Sequence, residues 1–271
     1  MAKVNLTDRL RAQYDQLFNI CDIRPDRAKD VASLLAGIDK GRKRYAGIET
    51  ALGIPWFFVG VVHCMESSLN FSYHLHNGDP LSARTVQVPS GRPSAGDPPF
   101  TWEQSATDAL TLRKLDQWHD WTVPGLLYKL EEYNGFGYRL RHPEVLSPYL
   151  WSYSNHYTRG KYVSDGTFSP TAVSRQCGAA VLLRRMAEKG MVRFDSTGVP
   201  VAPEKAEAGT GPLITYWTTG PEIPGGRELQ EFLNRLPGIF VKVDGKPGER
   251  TSSALKRATG RYLVGDPRAE D

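Results

Sequence analysis

Residues 55–65 read PWFFVGVVHCM, an uncharged run that ends at Glu66. Because the run is apolar on every side, it predicts a helix buried in a protein core. Pro55 suits the first turn of such a helix. Glu66 would then lie about three turns further on, at the C-terminal end of the helix. This position makes Glu66 the most informative residue of the chain.

A carboxylate at the end of a buried helix is destabilised in its ionised form. Desolvation and the negative end of the helix dipole both favour the neutral acid, so we expect a raised pKa for Glu66. A carboxylic acid with a raised pKa can donate a proton near neutral pH. A glutamate that merely ends a core helix in solvent would give the same sequence pattern.

Residues 66–71, ESSLNF, resemble the Glu-Ser signature of lysozyme-like muramidases and lytic transglycosylases. In that superfamily the glutamate is the catalytic acid, so the resemblance implies this role for Glu66. It also implies a mainly α, lysozyme-like fold with a small β-lobe. Residues 84–89, RTVQVP, alternate β-branched and polar side chains and predict a short strand of that lobe. Asn77-Gly78 predicts a tight turn before it.

Asp79 is the candidate for a second catalytic carboxylate. In phage-type lysozymes, five residues separate an aspartate of the β-lobe from a threonine, and the same spacing separates Asp79 from Thr85. The resemblance implies a catalytic Asp79 and a substrate-binding Thr85, with His76 and Gln87 as further binding candidates. However, twelve residues separate Glu66 from Asp79, against eight in those enzymes. Gly-Asp-Pro is also ordinary turn chemistry, so a structural role for Asp79 stays open.

Residues 131–138, EEYNGFGY, resemble the Tyr-Asn-Ala-Gly segment that lines the sugar cleft of goose-type lysozymes and transglycosylases. Gly135 stands where alanine is usual. The resemblance implies that Tyr133 offers a ring face to a sugar and that Asn134 bonds an N-acetyl amide. The same segment would suit a helix C-terminus, with Gly135 or Gly137 in the left-handed region. Residues 155–162 follow it and either line the cleft or pack ring against ring.

The composition changes at residues 195–212 to Ser, Thr, Gly, Pro, Ala and Glu, which predicts a linker. The chain would then divide into a lysozyme-like catalytic domain at residues 1–194 and a C-terminal module at residues 213–271. Few contacts cross a linker of this kind, so we expect the module to be separable.

The C-terminal module resembles the small helical peptidoglycan-binding domain. A helix from residue 227, the sequence VDG at residues 243–245 and Thr251 occur in the order typical of that domain. Ala258 and Thr259 replace its usual aromatic-Gln pair, which puts the binding groove in question. A module of this size has little core of its own, so we expect it to pack on residues 213–217 or on the catalytic domain.

Composition and charge set the remaining limits. With 40% hydrophobic and 24% charged residues over 271 positions, the chain has ordinary globular composition and exceeds one average domain. A net charge of +4 favours an anionic polymer, and peptidoglycan fits as well as nucleic acid. The Lys and Arg residues are scattered and no nucleic-acid motif occurs, so no nucleic-acid partner is expected.

The expected compartment and the expected lack of a cofactor follow from motifs that the sequence does not contain. Three cysteines are an odd number and predict free thiols. No signal-peptide core and no membrane-length apolar run occurs, which predicts cytoplasmic synthesis without membrane insertion. Such a wall enzyme would act after release, as phage endolysins do, or after export without a cleaved signal. His74 and His76 lack a third ligand at diagnostic spacing, so no metal or cofactor is expected.

The sequence therefore predicts a glycosidase of lysozyme type that cleaves β-1,4 bonds of peptidoglycan, with Glu66 as general acid. The alternatives are a lytic transglycosylase, a chitosanase-like hydrolase of another polysaccharide, and a non-catalytic wall-binding protein. If Asp79 serves as the second carboxylate, its distance from Glu66 would decide between retention and inversion. A transglycosylase would need no second carboxylate.

Overall fold

The structure is a computed structural model that describes residues 4–164, 166–192, 194, 214–236 and 239–269. These residues are mainly helical, which confirms the predicted class at this level. β1 (Lys161–Ser164) and β2 (Thr167–Ser169) form a two-stranded antiparallel sheet. The helices are α1 (Asp8–Asn19), α2 (Ala28–Leu52), α3 (Trp56–Ser67), α4 (Trp102–Leu112), α5 (Val123–Asn134), α6 (Gly137–Arg141), α7 (Pro148–Trp151), α8 (Ala179–Glu188), α9 (Gly226–Asn234) and α10 (Glu249–Thr259).

The chain divides into two compact units. The first consists of Met1–Asn5, Ile23–Trp121 and Gly125–Leu183, and the second of Leu6–Asp22, Thr122–Pro124 and Arg184–Asp271. This division differs from the predicted boundary, because the segment that contains α1 groups with the C-terminal part. The predicted linker at residues 195–212 lies outside the described residues.

In the first unit, α3 is the buried helix that the uncharged run predicts. It begins at Trp56, with Pro55 one position earlier as the N-cap. Its close partner is α2, and Gly60 lies at the contact. A Cβ atom on Gly60 would lie 2.7 Å from a methyl carbon of Ile38, so a larger residue would push the two helices apart. This packing fixes the end of α3 at which Glu66 lies.

Residues 84–89 form a loop, so the predicted strand at this position is wrong. Backbone N–H groups that a strand would donate to a neighbouring strand are bound here by side-chain oxygens. The Asp79 carboxylate accepts from the backbone N–H of Val86 at 2.8 Å and of Gln87 at 3.0 Å. Thr85 Oγ1 accepts a hydrogen bond from the backbone N–H of Arg92. Residues 84–89 therefore form a loop whose backbone N–H groups donate to polar side chains.

In the second unit, α1 packs through Phe18. The ring of Phe18 is 1% exposed and lies 5.1 Å from Phe240 and 5.7 Å from Phe194, centroid to centroid, in edge-to-face contact. The buried Arg184 donates from Nη1 to the backbone oxygen of Phe18 at 3.0 Å and from Nη2 to that of Phe240 at 2.7 Å. Helix α1 thus shares a core with residues far along the chain.

The C-terminal part of the second unit contains α9 and α10 around a small apolar cluster. Residues 214–217 run beside this part, as predicted. Thr215 forms a parallel bridge with Val264, and the backbone N–H of Trp217 donates to the oxygen of Pro247 at 3.1 Å. The buried members of the cluster are Leu233, Ile239, Val241 and Ala254.

Length and hydropathy are the criteria that a membrane-spanning helix must meet. Among the described helices, no single one is long and apolar enough to cross a membrane. The pair Pro25–Leu52 and Trp56–Ser67 meets the criteria only when taken together, and its two helices are bent by 118° at the break between them.

Candidate functional site

Glu66 lies in the last turn of α3, where the helix ends within two residues. Ser68 caps this end in the left-handed conformation, and its backbone N–H donates to the oxygen of His63. The side chain of Glu66 meets a tyrosine from a distant part of the chain. The Tyr149 hydroxyl donates to Glu66 Oε1 at 2.8 Å. Within the described residues this is the side-chain hydrogen bond of the Glu66 carboxyl group, and Oε2 accepts no other.

Burial raises the pKa of Glu66 above the ordinary range of a glutamic acid. The hydrogen bond from Tyr149 and the positive charge of Arg113 act in the opposite direction, because both favour the ionised carboxylate. Desolvation is the largest of the three effects. The direction of the shift is the one expected from the position of Glu66 at the end of a buried helix.

Tyr133 is buried next to this carboxyl group and does not offer a free ring face. Tyr133 is 6% exposed, and the Arg113 guanidinium lies 3.7 Å from the centroid of its ring. Arg113 Nη1 also donates to the backbone oxygen of Tyr133 at 3.1 Å. The predicted stacking of Tyr133 on a sugar ring is therefore corrected: the residue supports Arg113 beside Glu66, and its ring is covered.

A cavity of about 1000 Å³ lies in the first unit beside this group. Asn134 and Gly135, two of the predicted binding residues, line it. Gly135 has a φ of +83° and follows the end of α5, so helix capping and cavity lining occur together, as the sequence allowed. Lys161 and Tyr162 of β1 line the same cavity, and Tyr162 also packs edge-to-face on a neighbouring ring.

Two lining residues connect the cavity to the end of α3, where Glu66 lies. Tyr149, whose hydroxyl binds the Glu66 carboxyl group, is one of them. Gln176 is the other, and its Nε2 donates to the backbone oxygen of Met65 at 2.7 Å. The acid therefore lies one hydrogen bond away from the cavity wall. The sequence does not reveal either residue, because 83 and 111 positions separate them from their partners.

The Asp79 carboxylate organises the loop that follows it. Asp79 is 6% exposed, and besides the two backbone N–H groups its oxygens accept from Asn77 Nδ2 at 3.1 Å and Gln87 Nε2 at 3.2 Å. These donors, with the backbone N–H of Gln87 as the largest effect, lower the pKa of Asp79. Both oxygens are thus occupied. The turn at Asn77-Gly78 is present as predicted, with Gly78 at a φ of +79°.

The other predicted binding residues of this segment also hold the loop. Gln87 binds Asp79, as described. Thr85 Oγ1 donates to the oxygen of Pro89 at 2.5 Å and accepts from the backbone N–H of Arg92 at 2.9 Å. Neither Thr85 nor Gln87 lines the cavity beside Glu66. Their contacts account for them as structural residues of the loop.

His76 belongs to a buried polar network. Its Nε2 lies 2.7 Å from Asp108 Oδ1 and its Nδ1 lies 3.4 Å from Ser105 Oγ, which is also 2.8 Å from His74 Nδ1. Burial lowers the pKa of His76, and Asp108 opposes this effect. Among the described residues, no group of three His, Cys, Asp or Glu side chains could hold a metal ion. His76 thus joins the loop to α4 and is not part of the cavity.

Glu66 lies next to the cavity through Tyr149 but is not itself one of the residues that line it. The acid is half-buried, Tyr149 holds one of its oxygens, and the Asn134 amide lines the cavity where a group could bind. This arrangement rests on the geometry of the chain itself. Comparison with family models, with curated proteins and with solved structures gives no significant match to this chain.

Proposed function

We propose that this protein is a lysozyme-like glycosidase that cleaves β-1,4 bonds of peptidoglycan strands. In this proposal Glu66 protonates the glycosidic oxygen as the bond breaks. The proposal includes a lysozyme-like fold around α3, synthesis in the cytoplasm followed by release to the wall, and a C-terminal module that binds the wall. The resemblance of residues 66–71 and 131–138 to the superfamily supports it.

One observation supports the proposal more than any other. A carboxyl group with a raised pKa lies one hydrogen bond from a cavity large enough for an extended ligand. A general acid must be protonated at the working pH and held within reach of the leaving oxygen. Burial favours the first condition because it raises the pKa of Glu66, and the hydrogen bond from Tyr149 orients the carboxyl group for the second.

The test is the product of the reaction on purified sacculi. We expect the purified protein to lower the turbidity of sacculi and to release fragments that mass spectrometry can assign. Reducing-end N-acetylmuramic acid identifies a muramidase, an anhydro sugar identifies a transglycosylase, and reducing-end N-acetylglucosamine identifies a glucosaminidase. If no glycosidic bond is cut at any pH between 4 and 8, the proposal fails.

The contacts of Asp79 favour a lytic transglycosylase as the second candidate. A hydrolase of this type needs a second carboxylate as nucleophile or base. The Asp79 oxygens already accept four hydrogen bonds. Glu132 also lines the cavity, and its carboxylate lies 2.7 Å from Lys129 Nζ. A transglycosylase would use the N-acetyl group of the substrate in that role, and the product would be an anhydro sugar.

Replacement of Asp79 by asparagine should reduce stability and leave the identity of the products unchanged. The amide nitrogen cannot accept the N–H donors of the loop, and an unpaired buried donor costs about 1–3 kcal/mol. Because the pKa of Asp79 is lowered on folding, its contribution is present above the usual aspartate range and is lost as pH falls through the lowered pKa. The deficit of the variant, measured by urea unfolding, should therefore shrink in acid.

The control for this experiment is Asp39→Asn, an exposed aspartate on α2. It should show neither the stability deficit nor its decrease in acid. A fully stable Asp79→Asn protein that makes a different product, or that loses activity completely, would instead indicate that Asp79 takes part in the reaction.

Replacement of Tyr149 by phenylalanine should shift the alkaline limb of the pH–activity profile upward. The Tyr149 hydroxyl favours the ionised form of Glu66, so its removal raises the pKa of the acid further. Activity requires protonated Glu66 and falls as pH rises through that pKa. The rate at the optimum should fall as well, because the acid loses the bond that orients it. The measurement is kcat/KM on soluble glycan strands across pH.

Tyr45→Phe is the matched control for Tyr149→Phe. Tyr45 is also buried, and its hydroxyl lies 2.8 Å from His63 Nδ1, outside the cavity. This variant should lose stability without moving the alkaline limb. An equal shift in both variants would mean that Tyr149 acts only through general stability.

A further inference from the structure

We propose that Arg141 and Lys161 form an anion subsite in the cavity beside Glu66, which binds a carboxylate of the glycan substrate. This inference rests on the proposed function and names the part of the substrate that the site recognises. The carboxylate would be that of the lactyl group on N-acetylmuramic acid or of the peptide attached to it.

Both cations lie on the cavity wall without a counter-ion among the described residues. Arg141 ends α6, Lys161 begins β1, and both line the cavity. The neighbouring Arg139 differs from them, because it lies 2.8 Å from Glu131 in a buried ion pair. Arg141 and Lys161 make no ion pair with any residue that the structure describes. They are therefore available to a ligand.

The carboxylate on the same wall does not cancel this charge. Glu132 lines the cavity, and its Oε2 lies 2.7 Å from Lys129 Nζ. Lys129 thus already neutralises Glu132. The described wall of the cavity, with Arg141, Lys161 and Glu132, carries a net charge of +1, and the Lys129 partner of Glu132 raises the local sum to +2. Such an excess favours an anionic ligand over a neutral or a cationic one.

The polar groups that line the cavity together with the two cations suit a sugar that carries an acid group. Asn134 offers an amide, and Gly135 and Gly137 leave the backbone open to close approach. The Tyr162 hydroxyl is buried without a hydrogen-bond partner in the described parts of the chain, next to Gly137. Two cations, the Asn134 amide and a glycine-rich backbone together match an N-acetylated sugar with a carboxylate more closely than they match neutral chitin.

The experiment measures binding, so that it does not depend on turnover. The Glu66→Gln protein and its Arg141→Met/Lys161→Met derivative are titrated calorimetrically with three ligands. These are peptide-bearing peptidoglycan strands, the same strands after an amidase has removed the peptides and freed the lactyl carboxylate, and neutral chitohexaose. The matched control carries Lys40→Met and Lys43→Met, which remove two exposed charges of α2 outside the cavity.

We expect the Arg141→Met/Lys161→Met protein to bind carboxylate-bearing strands at least about ten-fold more weakly, because two charge-assisted contacts are lost. The ratio of its affinities for charged and neutral glycans should fall by a similar factor, and the loss should diminish at high salt. If only peptide-bearing strands show the effect, the peptide carboxylate is the ligand. If the amidase-treated strands show it too, the lactyl carboxylate is.

Equal weakening for chitohexaose, the same loss in the lysine control, or no loss would overturn the subsite. The proposed function is judged separately, by cleavage with the protein that retains Glu66. Weakened binding of charged strands together with no cleavage by that protein would support the subsite and refute the glycosidase.

Discussion

The Glu66→Gln protein is expected to fold normally and to lose about 10²- to 10⁴-fold in kcat, the usual contribution of a general acid. Glutamine keeps the shape of the side chain, and its amide oxygen can accept the hydrogen bond from Tyr149. It has no acidic proton for the glycosidic oxygen. The measurement is the initial rate on soluble glycan strands, with Glu49→Gln on α2 as a carboxyl-to-amide control outside the cavity.

The same substitution should also increase stability at neutral pH. The pKa of Glu66 is raised on folding, so its ionisation destabilises the folded state as pH rises above the usual glutamate range. Glutamine does not ionise, and the stability of the variant relative to the original protein should grow over that pH range. Thermal unfolding at several pH values measures this difference. Full activity in a folded Glu66→Gln protein would remove Glu66 from the mechanism.

Deletion of residues 195–271 is expected to yield an aggregating protein, contrary to the separable module that the sequence predicts. The deletion removes Phe240, the partner of the Phe18 ring, and the oxygen that accepts from Arg184 Nη2. Exposure of one large apolar side chain costs about 1.5–3 kcal/mol, and an unpaired buried donor costs a further ~1–3 kcal/mol. Size-exclusion chromatography of the deletion product is the measurement.

Point variants separate the loss of the core from the loss of mass. Phe240→Ala in the full chain should lower the unfolding temperature, because it opens the contact with Phe18. Phe232→Ala is the matched control, since this phenylalanine of α9 is 41% exposed. A monomeric 1–194 protein that unfolds at the temperature of the full chain would show that α1 does not need its C-terminal partners.

The parts of the fold that the sequence predicts are those set by local periodicity and capping. The run at residues 55–65 is apolar on all sides, and the structure has a helix there that ends just beyond Glu66. Thr101 and Gln104 predict a capping box, and both of its hydrogen bonds are present at the start of α4. In each case the signal lies within a few residues of the feature, so no tertiary contact has to be known.

The features that the sequence does not predict correctly have a common physical cause. At residues 84–89 the alternating pattern fits a strand. However, the Asp79 and Thr85 oxygens accept hydrogen bonds from backbone N–H groups of this loop, so these groups do not pair with a neighbouring strand. The sequence does not predict that Tyr149 binds Glu66, because Tyr149 lies 83 positions further on, in a segment without a diagnostic pattern. Contacts of this kind depend on how helices pack, which a single sequence does not display.

The grouping of α1 with the C-terminal part has a consequence for synthesis on the ribosome. The side chains of Asp22 and Arg250 are 228 positions apart and lie 2.7 Å from each other. The first helix therefore leaves the ribosome long before its partners exist. During that interval Phe18 has no Phe240 to cover it, and the nascent chain exposes an apolar stripe to which a chaperone can bind. Contacts this distant in sequence also slow folding. The second unit should consequently be the last part of the molecule to become resistant to protease.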